Sequence, residues 1–262
     1  MGTNTISQQL ETLFDKWCKQ LEQNSDGANF TKDGVMFQNG IEPEETERQW
    51  LASPKRVLFL LKEQNESNNE NDRGGCDTRY FLTDTDWTPK APQIRNLEVG
   101  FYKKIAYVLF GLIKNDKDND LPFDYVDAHQ KDVKELFNTQ PFAYVECKKI
   151  SGGGKCNERA LKHHFQTYGD EFLKKEIEIL NPNIIVCTND YMFGYVISHM
   201  YPTAKKVDPK LKVRYAEPNG DHQYGTLIMR AYHPGTYGKY DLRANYNKAM
   251  SLYRAFLNWQ SK

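Results

Sequence analysis

The sequence predicts a parallel α/β fold: a three-layer α/β/α sandwich with a central, mostly parallel four-stranded sheet. Three observations carry that expectation. Short, wholly apolar runs recur that read as strands buried on both faces, stretches with helical spacing separate them, and each run empties into a polar or glycine-bearing loop. In such sheets ligands bind outside the carboxyl ends of the strands. The loops Lys62 to Arg79, Glu146 to Lys155 and His233 to Arg243 are therefore expected to converge.

Ile6, Leu10, Leu13, Phe14, Trp17 and Leu21 form one stripe at three-four spacing, so Thr5 to Gln23 is read as an amphipathic helix. Asn24 to Glu42, rich in Gly, Asn and Asp, reads as turns around a short extended piece. Glu44 to Leu51 is a short helix, opened by Pro43 and stopped before Pro54. The first strand is Val57 to Leu61, behind Lys55 and Arg56, and the polar tract after it reads as a loop. Phe101 to Ile113 has helical spacing and runs into a solvated Lys/Asn/Asp tract at Lys114 to Asp120. Pro141 to Cys147 is the second strand, Glu158 to Leu180 a helix broken near Gly169, and Asn183 to Cys187 the third strand. Asp190 to Met200 returns as a helix, Thr226 to Ala231 is the fourth strand, and Ala244 to Trp259 closes the chain as a helix. The reading is one domain over residues 1–262, with an N-terminal helical extension at about 1–54.

Composition bounds the function. Lys+Arg and Asp+Glu both number 35, so net charge is zero, which excludes a general polyanion coat while leaving room for a local basic groove. The longest apolar stretch, Ala106 to Ile113, is far short of the ~20 residues that span a bilayer, so no membrane partner is expected. No apolar signal stretch follows the amino terminus, which points to a cytoplasmic location. Five cysteines without a Cys-x-x-Cys pair read as reduced thiols. Cys147, Cys156, His163 and His164 lack the spacing of zinc ligands, so no metal is expected. Gly152 to Lys155 reads as a turn or a phosphate cradle, but Cys156 stands where a nucleotide-triphosphate loop has Ser or Thr.

Four blocks, taken together, resemble the uracil-DNA glycosylase superfamily, nearest its branch with a Gly-Glu-Ala-Pro-Gly first motif. They are the strand and acidic motif at Val57 to Asn65, the strand and loop at Tyr144 to Arg159, EIEILNPNIIVC at Glu176 to Cys187, and AYHPG at Ala231 to Gly235. From Val57 to Gly235 they span about two thirds of the chain, in the family's order. The resemblance implies hydrolysis of the N-glycosidic bond of a base turned out of DNA into a pocket. The chemistry needs an oxygen that serves water near an oxocarbenium-like centre and a donor for the charge growing on the departing base. Glu63 matches the acidic position, with Asn65 as the other candidate for water; His233 matches the donor histidine, and Phe81 or Tyr80 the stacking aromatic.

The departures from the family are as informative. Glu146 aligns with the base-reading Asn, and an ionised carboxylate, which only accepts, suits an amino-bearing edge better than uracil. Gly235 replaces the motif's Ser, and LKEQN at Leu61 to Asn65 lacks its Gly and Pro. The branch's paired N-terminal cysteines are missing, so no iron-sulfur cluster and no other cofactor is expected. Arg79 is a second candidate for substrate contact, against a surface ion pair with Asp77; Lys155, Lys239 and Arg243 are candidates for a nucleic-acid backbone, against ordinary surface cations. His233 reads equally as a structural histidine. The expected partner is DNA or a nucleotide, with no obligate protein partner. The rival reading is a non-catalytic module on the same fold that binds a nucleotide or nucleic acid, and a third is a protein-interaction domain using the 13% aromatic content.

Overall fold

The computed structural model describes residues 4–22, 30–65, 76–83, 88–152, 158–168, 170–218, 225–236, 238 and 240–261. Among these residues seven strands form one mixed sheet: β1 (Gly34–Val35), β2 (Val57–Asn65), β3 (Ala143–Gly152), β4 (Ile184–Cys187), β5 (Lys205–Lys206), β6 (Val213–Ala216) and β7 (Thr226–Arg230). Their spatial order is β1-β3-β2-β4-β7-β6-β5. The four strands read from the sequence are the parallel centre, β3-β2-β4-β7. The expectation of four strands in all is corrected by antiparallel strands at both edges. The reason is pattern: β1 and β5 have two residues each, and β6 (VRYA) has Arg214 inside it where the equally short β4 is wholly apolar, so these strands are held by backbone pairing to a neighbour.

A second correction concerns strand ends. β2 runs on through Asn65 and β3 through Gly152, where the sequence reads loops. Parallel pairing persists beyond the apolar runs, with Leu61 opposite Glu146 and Glu63 opposite Lys148, and the register shifts between Glu63 and Asn65. Opposite charges at matched positions make this polar stretch tolerable in a sheet, which the separate segments do not reveal.

Ten α-helices accompany the strands among the described residues: α1 (Ile6–Glu22), α2 (Pro43–Ala52), α3 (Ala91–Arg95), α4 (Gly100–Lys114), α5 (Phe123–Ala128), α6 (Gln130–Thr139), α7 (Glu158–Tyr168), α8 (Glu171–Leu180), α9 (Asp190–Tyr195) and α10 (Leu242–Gln260). Alternation along the strands builds two cores. Val57, Phe59, Leu61, Tyr144, Val186 and Met229 pack on one face with residues of α3 to α6 and α10. Leu58, Leu60, Val145, Ile185, Cys187 and Ile228 pack on the other with residues of α1, α2 and α7 to α9. The first 54 residues join this structure directly: β1 pairs with β3, and the Glu47 carboxylate on α2 accepts from the Ile6 N–H at 2.9 Å and the Ser7 N–H at 2.8 Å, capping α1. No helix among the described residues is long and apolar enough to cross a membrane.

Helix α4 sets up the site. Lys55, immediately before β2, donates to the carbonyls of Leu112, Ile113 and Asn115 at 2.8–2.9 Å, so the carboxyl end of α4 lies at the amino end of the sheet. Its amino end, with Phe101 and Tyr102, therefore lies at the carboxyl ends of the strands. Gly111 lets α10 come close: a Cβ there would stand 2.6 Å from Met250 Sδ and 2.8 Å from the Tyr246 ring.

Candidate functional site

The strand ends on the α4 face bring together a carboxyl, an imidazole and an aromatic ring. Glu146 lies in β3 and is 2% exposed. Its Oε1 accepts from the Tyr144 hydroxyl at 2.5 Å, and its backbone N–H donates to Asp33 Oδ2 at 2.7 Å. Oε2 is buried without a hydrogen-bond partner among the described residues. Burial is the main reason the Glu146 carboxyl is pushed up to about 8; the Tyr144 hydrogen bond opposes it and the Asp33 charge adds to it. This enclosure favours the protonated form of the carboxyl, where the sequence alone reads an ionised acceptor.

His233 follows β7, two residues beyond Ala231, which packs on this face. Gly235 N donates to His233 Nδ1 at 3.0 Å, so the ring's own proton sits on Nε2. Burial, with Lys62 and Lys104 adding repulsion, lowers the imidazole to about 4 and keeps it neutral at pH 7. A neutral imidazole with a fixed Nε2–H is a donor that carries no charge of its own. Gly235 suits the turn because a Cβ there would come 3.2 Å from the ring. Lys104 braces the same turn, donating to the carbonyls of Thr236 and Tyr240. Phe101 lies edge-on to Tyr144, the hydroxyl partner of Glu146, at 6.2 Å and edge-on to His233 at 6.1 Å between centroids.

The remaining candidates are placed as follows. The Glu63 side chain, 5% exposed, pairs with Lys148 Nζ at 2.5 Å on β3 instead of standing in an open loop. Asn65 ends β2, and its side chain lies outside the described ones, as do Lys155 and Lys239 as whole residues. Tyr80 lies edge-on to Phe37 at 4.8 Å, and Phe81 packs against the α4-side core. Arg79 does pair with Asp77, at 2.5 Å, but its side chain is only 5% exposed and also pairs with Glu11 of α1, so the surface pair of the sequence reading is a buried clamp. Arg243 pairs with Asp124 at 2.5 Å and lies 4.4 Å from the Phe123 ring centroid. Among the described residues, the clefts of about 590 Å³ and 460 Å³ lie elsewhere, the first between α4, α5 and α6 near Ile113 and Leu136, the second beside α10 at Arg254.

Asp33, Phe101, Tyr102, Lys104, Tyr144 and Lys148 went unread as site residues. Tyr144 and Phe101 are apolar positions of a strand and a helix, and only the meeting of those elements turns them toward Glu146 and His233. The one usable signal is Lys148, a cation two residues beyond Glu146 and so on the same face of an extended strand.

Fold and site define an α/β chain with a mixed sheet whose strand ends hold a neutral imidazole and a buried acid on either side of an aromatic ring. No protein-family model matches the sequence, and a search of curated proteins finds no match.

Proposed function

We propose that this chain is a divergent uracil-DNA glycosylase-like protein, an α/β/α sandwich of the cytoplasm that takes a base from DNA into the strand-end site and hydrolyses its N-glycosidic bond. The observation that carries the reading is His233: a largely buried imidazole whose pKa is lowered to about 4 and whose Nδ1 accepts from Gly235 N–H, which puts the ring proton on Nε2. Such a donor stabilises negative charge growing on a carbonyl oxygen of the leaving base without first drawing it in by charge. Glu146 reads the base edge, Phe101 offers a ring to stack on, with Phe81 and Tyr80 on the neighbouring segment, and Glu63 or Asn65 serves the attacking water. Lys155, Lys239 and Arg243 contact phosphates, and Arg79 holds the segment that carries Tyr80.

The second reading is a module on the same fold that binds a nucleotide or nucleic acid and cuts nothing. It is favoured by the Glu63–Lys148 pair, which engages the carboxylate that water would need.

The test is incubation with oligonucleotides containing uracil, hypoxanthine, xanthine or methylated bases, followed by alkaline cleavage of abasic sites. The glycosylase reading expects strand breaks on at least one substrate and their loss in His233→Ala. Intact strands throughout, with binding to single-stranded DNA that weakens as salt rises, favour the binding module. Breaks undiminished in His233→Ala remove the histidine from the reaction.

A further inference from the structure

We propose that Arg230, Lys212 and Lys248 form a binding site for a phosphate monoester, a dianion taken at the carboxyl end of β7 on its β6 side. The site is separate from the one built on Glu146 and His233, and the proposal does not rest on the base-binding reading.

Arg230 is the last residue of β7. Met229 and Ala231 on either side of it pack on the α4 face, so alternation sends the Arg230 side chain to the other face, where Asp190 opens α9. Its Nε stands 2.7 Å from Asp190 Oδ1, and its guanidinium carbon lies 5.8 Å from the Tyr232 ring centroid. Tyr232 is itself packed on Tyr240, at 4.4 Å between centroids. These contacts hold the guanidinium by one edge and one face. Its two Nη nitrogens have no hydrogen-bond acceptor among the described residues and are not shut away from solvent. An arginine held in this way presents a fork to two oxygens of one phosphate, which a lysine cannot do.

Two lysines complete the site. Lys212 directly precedes β6; its carbonyl accepts from the Arg230 N–H at 3.0 Å, and its ammonium lies 2.9 Å from the same Asp190 oxygen. Lys248 comes from α10. The charges that act on it are Arg230, Lys212 and Asp190: burial first, and then the two cations, lower its ammonium, with Asp190 opposing. Three cations from separate parts of the chain thus share one carboxylate, which already serves two of them. The positive surplus is partly withdrawn from water, and an anion seated among the three relieves their repulsion. A phosphate monoester carries about −1.5 to −2 at neutral pH and matches that surplus better than a phosphodiester with its single charge.

Titration calorimetry at low salt and about pH 8, above the second ionisation of a monoester, compares methyl phosphate with dimethyl phosphate. The full chain is expected to bind methyl phosphate, to bind dimethyl phosphate about tenfold more weakly, and to lose about tenfold for methyl phosphate in Arg230→Gln. Lys212→Gln alters a side chain that is 54% exposed, so it leaves the core intact, and it is expected to weaken methyl phosphate several-fold. Equal affinity for the two phosphates, no binding of methyl phosphate at millimolar concentration, or binding unchanged in both variants overturns the proposal. A short oligothymidylate with a 5′-phosphate is then compared with the same strand lacking it. Tighter binding of the phosphorylated strand, lost in Arg230→Gln, identifies a strand end as the source of the phosphate. Equal binding of the two strands, with methyl phosphate still bound, identifies a small free monoester. The abasic-site assay reads the Glu146 and His233 site separately, so its failure leaves this site standing.

Discussion

At the residue scale, His233 and Glu146 bias the folded protein against charge from opposite directions, and their pH signatures have opposite signs. The imidazole is lowered from 6.5 to about 4, so the unfolded chain binds its proton more readily than the folded one. Stability from this group is complete above 6.5 and declines as pH falls toward 4, by up to about 1.4 kcal/mol per pH unit. The Glu146 carboxyl is raised from 4.5 to about 8, so its contribution is complete below 4.5 and declines as pH rises toward 8. Urea unfolding across this range is expected to show a shallower acid limb in His233→Gln and a shallower alkaline limb in Glu146→Gln, each against the wild type. Glu176 is raised as well, by burial first, which is why the variants are compared by difference. Equal limbs in variant and wild type count against the buried protonation states. The residue types of the site were legible in the sequence, since Glu63 and Glu146 stand out from apolar strands and His233 and Gly235 follow one directly. Their protonation states were not, because a pKa is set by what encloses the group, and Asp33, Tyr102 and Tyr144 enclose Glu146 only after folding.

At the element scale, α4 is fastened at both ends by lysines reaching out of their own elements. Lys104, near its start, braces the His233 turn, and Lys55 satisfies three carbonyls at its end while lying 5.4 Å from the Tyr253 ring centroid. A cation at a helix carboxyl end meets both the orphan carbonyls and the helix dipole. Lys55→Met is expected to lower stability by about 1–3 kcal/mol while leaving the far-ultraviolet spectrum intact, measured by denaturant midpoint at constant slope. A midpoint unchanged within error shows the carbonyls equally well served by water. The helices with three-four stripes were legible because their pattern is local; α7 ends at Tyr168 and α8 begins at Glu171, with Gly169 itself outside the described residues. Segment 121–140, which forms α5 and α6, went unread, and so did the hairpin of β5 and β6; both are short and draw their apolar contacts from the body of the protein.

At the scale of the whole molecule, a buried charge cluster ties the chain's distant parts together behind the site. Lys149 of β3 is wholly enclosed, paired with Asp33 beside β1 and, at 2.8 Å, with Glu176 of α8, and it lies 5.5 Å and 5.3 Å from the rings of Phe14 and Trp17 on α1. Burial first, and then the Asp33 charge, push the Glu176 carboxyl up, while Asp33 and Glu176 raise the Lys149 ammonium against the burial that lowers it. Removing one partner of such a cluster strands the other. Lys149→Met is expected to cost about 3–5 kcal/mol, seen as a large fall in the urea midpoint. A loss below about 0.5 kcal/mol, the range of ordinary surface substitutions, would remove the cluster from the account of stability.

The sequence by itself determined the four central strands, the helices with clear stripes and the identity of the polar groups at the strand ends, because apolar runs and three-four spacing are properties of neighbours along the chain. Only the tertiary structure decided that β2 and β3 continue into their polar tails, that Lys148 takes Glu63 and Lys149 takes Asp33, and that burial raises the Glu146 carboxyl and lowers the His233 imidazole. Those outcomes depend on burial and on charges brought together from remote positions, and such quantities have no value until the chain has folded around them.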